Sequence, residues 1–146
     1  MTIFESFSQK ETENFGCKMG QSSKRGEVYA LIGDLAAGKT AFARGFARGL
    51  GVDANVDITS PTFGILNEYY GRLPLYHFDV YRIEHVDEMY DTGYEEYFWG
   101  EGVSLVEWAD TIEELLPDES IIIHFTRCAD KGDSFRQIEV KRGCAK

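Results

Sequence analysis

Apolar residues fall along this chain in two kinds of pattern. Short apolar runs bounded by glycines or polar turns predict strands at Ile3 to Phe7, Glu27 to Ile32 and Gly102 to Glu107. The run Glu27-Val28-Tyr29-Ala30-Leu31-Ile32 reads as a strand covered on both faces. Phe63 to Tyr70 and Leu73 to Tyr81 predict two strands joined at Gly71-Arg72, a hairpin. Ser120 to Phe125 and Phe135 to Lys141 close the chain as an antiparallel pair. Helical spacing appears twice. Ser8-Gln9-Lys10-Glu11 matches a capping box and opens a helix to about Gln21. From Lys39, Phe42, Phe46 and Leu50 share one stripe and Arg44 and Arg48 another, predicting a helix to about Leu50 that Gly51 stops. Gly45 costs this helix about 1 kcal/mol against alanine, which close packing on the sheet is expected to offset. Residues 86–99 read as a short helix with irregular structure, and Asp110 to Leu116 as a helix ended by Pro117. With no repeat or linker in view, residues 1–146 read as one α/β domain. Its mixed sheet is parallel around the glycine loop, antiparallel at the edges and flanked by helices.

Composition narrows the class. At 43% hydrophobic residues with three prolines, the chain can bury a real core. No apolar run approaches the roughly 18 residues of a membrane span, and the start carries no basic leader, so no membrane partner is expected. Cys17, Cys128 and Cys144 are odd in number and widely spaced, which points to a reducing, cytoplasmic setting. The formal charge is −10, and residues 82–119 hold 13 acids against one base, Arg82. A protein gripping a nucleic-acid backbone by itself carries the opposite sign. The acidic block is either a solvated face or a docking surface for a basic partner. Tyr90, Tyr94, Tyr97, Phe98 and Trp99 lie inside it.

Gly33-Asp34-Leu35-Ala36-Ala37-Gly38-Lys39-Thr40 fits G-x-x-x-x-G-K-[ST] at every fixed position. That spacing lets the backbone curl so that successive N–H groups and the start of the next helix face one phosphate group. Lys39 then reaches the β- and γ-phosphates, and the Thr40 hydroxyl is offered to Mg²⁺. Such a loop needs an acid at the end of a neighbouring strand. Asp79 and Glu107 each end a strand; if both strands run parallel to residues 27–32, both acids face the phosphates, and otherwise each is a solvent-facing strand end. The assignment is Glu107 as a direct or indirect Mg²⁺ ligand and Asp79 as the group that orients or deprotonates the attacking water. Ser60-Pro61-Thr62-Phe63 is either a γ-phosphate sensor through Thr62 or Ser60, or a plain turn. Trp108 packs near the site or anchors the next helix. His77, in His77-x-Asp79, reads as a strand residue with a satisfied imidazole. No Asn-Lys-x-Asp run is present, which favours ATP over GTP.

Gly33 to Thr40, Ser60-Pro61-Thr62-Phe63, His77-Phe78-Asp79-Val80-Tyr81-Arg82 and Val106-Glu107-Trp108 together resemble the TsaE (YjeE) family in order and spacing. The resemblance implies a P-loop NTPase-like fold and a weak ATPase of tRNA threonylcarbamoyladenosine biosynthesis. It implies partnership with the TsaB–TsaD heterodimer, in which TsaD transfers threonylcarbamoyl to adenosine 37, so that tRNA is met only through the complex. It further implies that Ser8–Thr12 rim the adenine and that Trp108 supports the site. The family loop has glycine where this chain has Ala36 and threonine where it has Ala41. Ala41 keeps its N–H for the α-phosphate but loses a hydroxyl bond worth roughly 0.5–1.5 kcal/mol. Two rival functions remain on the residues alone: a small-molecule kinase, and a nucleotide-gated binding module.

Overall fold

Seven strands form one sheet in the computed structural model, which describes residues 2–33, 38–59 and 65–143. They are β1 (Thr2–Ser6), β2 (Val28–Ile32), β3 (Leu66–Tyr70), β4 (Pro74–Asp79), β5 (Val103–Glu107), β6 (Ile121–Arg127) and β7 (Arg136–Arg142), in the order β1-β7-β6-β2-β5-β4-β3. The central strands β6, β2, β5 and β4 run parallel. The edges pair antiparallel, β1 and β7 on one side and β3 on the other. The mixed α/β sheet expected from the sequence is therefore present.

Burial explains the order. In β2, Val28, Tyr29, Ala30 and Leu31 are all buried. Tyr29 and Leu31 face a core built with Phe42, Phe46 and Leu50, while Val28 and Ala30 face a second core with Phe78, Met89, Phe98 and Ile112. Helices α1 (Gln9–Ser22) and α2 (Lys39–Gly49) cover the first face. Short α3 (Tyr94–Phe98) and the 3-10 turns Val86–Thr92 and Ala109–Leu115 cover the second.

Local chemistry sets the element ends. Ser8 Oγ accepts the Glu11 N–H at 3.1 Å, and the Glu11 carboxylate accepts the Phe7 N–H at 3.0 Å, one residue earlier than a strict capping box. Strand β4 stops at Asp79, not Tyr81, because Asp79 Oδ1 accepts the Tyr81 N–H at 3.0 Å and turns the chain. The segment before Pro117 is 3-10 rather than α, broken at Ile112 (φ −120°). The carboxyl of Glu88 accepts the Glu84 and His85 N–H groups at 2.7 and 2.9 Å, and those bonds hold it below the usual carboxylate range. Arg72, in the β3–β4 hairpin, donates to the Gly20 and Ser23 carbonyls at 3.1 and 3.0 Å and so closes the end of α1.

Gly45 does not owe its place to the sheet. It packs on α1, where a Cβ would lie 1.9 Å from the Glu13 carbonyl oxygen. Gly49 meets the Cys17 carbonyl in the same way, at 2.1 Å. At these glycines α1 and α2 meet backbone against backbone. Alanine at Gly45 gains about 1 kcal/mol of helix propensity and must push two backbones apart, a strain of about 3 kcal/mol. Gly45→Ala is expected to lower the thermal midpoint in calorimetry; an unchanged or raised midpoint would mean the seam opens at no cost.

Candidate functional site

Strands β2, β4 and β5 end on the same edge of the sheet, where α2 begins. In open parallel sheets that edge is where ligands bind. A cavity of about 410 Å³ opens there. Gly38 and, at the start of α2, Lys39, Thr40 and Ala41 enter it, with Asp79 from β4, Glu107 from β5 and Trp108 just after it. Gln9 and Thr12 of α1 form a second wall, with Thr12 held by Ser6, their hydroxyls 2.7 Å apart. Arg44, Asp133, Ser134 and Arg136 complete the lining.

Gly38 has φ +103°, a backbone that side-chain-bearing residues rarely adopt, so the second fixed glycine of the loop is required by conformation. The Lys39 side chain runs inward and the residue is buried. Its ammonium donates to the Gly33 carbonyl at 2.6 Å and lies 3.6 Å from the centre of the Trp108 ring. Thr40, one residue on, is exposed to the cavity.

Trp108 is the one non-glycine residue with positive φ (62°) among the described residues. Its N–H donates to the Leu31 carbonyl at 3.1 Å, so it still belongs to the β2–β5 pairing while its backbone turns away. Backbone strain of this kind is of order 1–3 kcal/mol and collects at functional sites. Here it carries the indole across Lys39 and onto Tyr81, 4.8 Å between ring centres.

Asp79 and Glu107 are register partners in the parallel β4–β5 pair. Both carboxylates therefore project on one face, toward the start of α2. Glu107 is buried, and its Oε2 lies 2.6 Å from His77 Nε2. Together with the Thr40 hydroxyl, these are hard oxygen donors of the kind Mg²⁺ accepts. No three His, Cys, Asp or Glu side chains form a metal cage among the described residues. Mg²⁺ at a nucleotide site needs none, since one or two carboxylates, waters and the phosphates hold it.

The structure thus brings Gly33, Gly38, Lys39, Thr40, Ala41, Asp79 and Glu107 to one place. Asp34, Leu35, Ala36, Ala37, Ser60 and Thr62 lie outside the described residues. Arg82 is exposed and absent from the cavity lining. Four lining residues escaped the sequence reading. Arg44 was within reach of it, being four residues after Thr40 on the same helix face. Asp133, Ser134 and Arg136 were not, because only the β1–β7 pairing carries them to α1. Burial, then the charge of Arg127, holds the Arg136 guanidinium below the usual arginine range, and its Nη1 donates to the Asp133 and Phe135 carbonyls at 2.6 and 2.7 Å.

Comparison with known proteins bears on the family and the fold. The model of the family described as "Threonylcarbamoyl adenosine biosynthesis protein TsaE" matches residues 6–138. The tRNA threonylcarbamoyladenosine biosynthesis protein TsaE of Bacillus subtilis strain 168 is 52% identical over 122 residues, covering 83% of this chain and 75% of its own length. Its counterpart from Treponema pallidum strain Nichols is 42% identical over 123 residues, covering 84% and 90%. The crystal structure of Bacillus subtilis YdiB superposes with a TM-score of 0.77 at 42% identity, covering 97% of this chain and 84% of that one.

Proposed function

Because this chain belongs to the TsaE family, which serves tRNA threonylcarbamoyladenosine biosynthesis, we propose that it is a Mg²⁺-dependent ATPase supporting the TsaB–TsaD heterodimer. It does not transfer the threonylcarbamoyl group itself. The observation that carries this reading is the convergence of Lys39, Thr40, Asp79 and Glu107 on one cavity at the carboxyl ends of parallel strands.

Each residue has a distinct task. Lys39 pairs with the β- and γ-phosphates, and the Trp108 ring beneath it keeps the ammonium facing the cavity. Thr40 and Glu107 hold Mg²⁺, which, when bound, offsets phosphate charge as it builds on the leaving group. Asp79 lies beside Glu107, orients the attacking water and accepts its proton. Gln9 and Thr12 border the base and sugar.

The acidic segment is the surface offered to the partner. Tyr90 and Trp99 are more than half exposed among its carboxylates. Arg82 is not among the residues lining the cavity, so turnover alone is slow, and an arginine supplied in trans is worth roughly 10³–10⁵ in rate. The test measures ATP turnover with and without TsaB–TsaD. Stimulation is expected, together with loss of stimulation and of complex formation when charges within Asp87–Glu96 are reversed. ATP binding by the isolated variant should stay as it was. Calorimetry that finds the partner affinity of the reversed variant unaltered would rule out this face.

A further inference from the structure

We propose that His77 is a positioning residue: through its bond to Glu107 it sets that carboxylate for the divalent cation that accompanies the nucleotide. The inference rests on the function proposed above, in which Glu107 holds Mg²⁺.

His77 is an anomaly in its surroundings. It sits two residues before Asp79 on β4, on the face where its neighbours are Leu75, Val103 and Leu105, and only 1% of it is exposed. A leucine would fill that position with no polar group to desolvate. Burying an imidazole is unfavourable unless a hydrogen bond compensates. The bond it makes goes to Glu107 Oε2, at 2.6 Å. A carboxylate only accepts, so Nε2 carries the hydrogen. Nδ1 has no hydrogen-bond partner among the described residues. A bare lone pair there is tolerable, whereas a buried N–H would not be, which fits the Nε2–H form. With side-chain exposures of 1% and 4%, water does not compete for the contact.

The geometry gives the bond a task. A glutamate at the end of a strand has three rotatable side-chain bonds. Fixing one oxygen to a buried ring removes most of that freedom while the residue still lines the cavity. Hydrogen bonds from behind commonly orient ligating carboxylates, and their loss costs roughly 10–100-fold in metal affinity. His77 touches neither nucleotide nor cation; it acts through Glu107.

The test titrates Mn²⁺ into the protein saturated with a non-hydrolysable ATP analogue, followed by electron paramagnetic resonance. Wild type, His77→Leu and His77→Gln are compared, because the glutamine amide can replace the Nε2–H donor. Analogue affinity in EDTA is measured alongside. His77→Leu is expected to weaken Mn²⁺ binding about tenfold or more while leaving metal-free analogue affinity within about twofold, and His77→Gln should recover most of the loss. Unchanged Mn²⁺ affinity in His77→Leu overturns the proposal. So does an equal fall in metal-free affinity, or failure of glutamine to restore, since His77 would then be a packing residue only. If the leucine variant does not fold, the wild-type protein decides: the His77 Nε2–H resonance must move when Mg²⁺ is added to the analogue complex, and a stationary signal overturns the inference. A wild-type protein that binds no analogue removes the proposed function and this inference together, whereas tight wild-type binding with indifferent variants removes the inference alone.

Discussion

Lys39→Ala is expected to lose ATP turnover and to bind ATP roughly 10–150-fold more weakly, the equivalent of about 1.5–3 kcal/mol for a hydrogen bond to a charged group. The magnitude follows from where the ammonium sits. The residue is buried, so its charge is poorly screened by solvent. It is also held by the Gly33 carbonyl and the Trp108 ring, which pre-orient it. Truncation removes the positive charge and one support of a tryptophan whose backbone is already strained. The first effect bears directly on nucleotide affinity, whereas loss of the cation–π contact, worth about 2 kcal/mol or more when desolvated, leaves Trp108 stacked on Tyr81. Turnover by coupled assay and affinity by calorimetry check the result, with circular dichroism to show that the fold persists. Wild-type turnover in the variant would take the glycine loop out of the site.

Asp79→Asn is expected to separate binding from hydrolysis. The amide keeps the shape of the side chain, and its oxygen can still accept the Tyr81 N–H that ends β4. It cannot accept a proton from water. Loss of a general base lowers rate by roughly 10²–10⁴, whereas ATP affinity should change by less than about threefold, because the group meets the attacking water rather than the phosphate charge. Single-turnover hydrolysis with a parallel binding isotherm reads both quantities. Should the variant bind ATP and also sustain the tRNA modification in cells, a nucleotide-gated module without relevant hydrolysis becomes the better description.

The features that were legible in the sequence are those set by neighbours along the chain. The glycine spacing before Lys39, the stripe of Phe42, Phe46 and Leu50, and the apolar runs that became β2 and β5 all depend on a few adjacent residues. Strand ends were read less well. Whether β4 stops at Asp79 or continues to Tyr81 is settled by one side-chain hydrogen bond, which hydrophobic pattern does not register. Contacts between distant segments were not legible. Nothing local in His77 announces Glu107, thirty residues on, as its partner. Close packing on the sheet is the expected compensation for Gly45, but it comes from α1, whose register against α2 is a tertiary fact. The wall formed by residues 133–136 likewise exists only because the first and last strands pair.

The glycine seam has a mechanical outcome. Soft side chains between helices act as springs and absorb small displacements. At Gly16, Gly20, Gly45 and Gly49 carbonyl groups of one helix face bare α-carbons of the other, and there little is left to compress. A push on Lys39 and Thr40 at the head of one rod is therefore delivered to Gln9 and Thr12 at the head of the other, and through the Ser6–Thr12 link to the outermost strand. The cavity end of the molecule and its far border are in this way geared together without a lever between them.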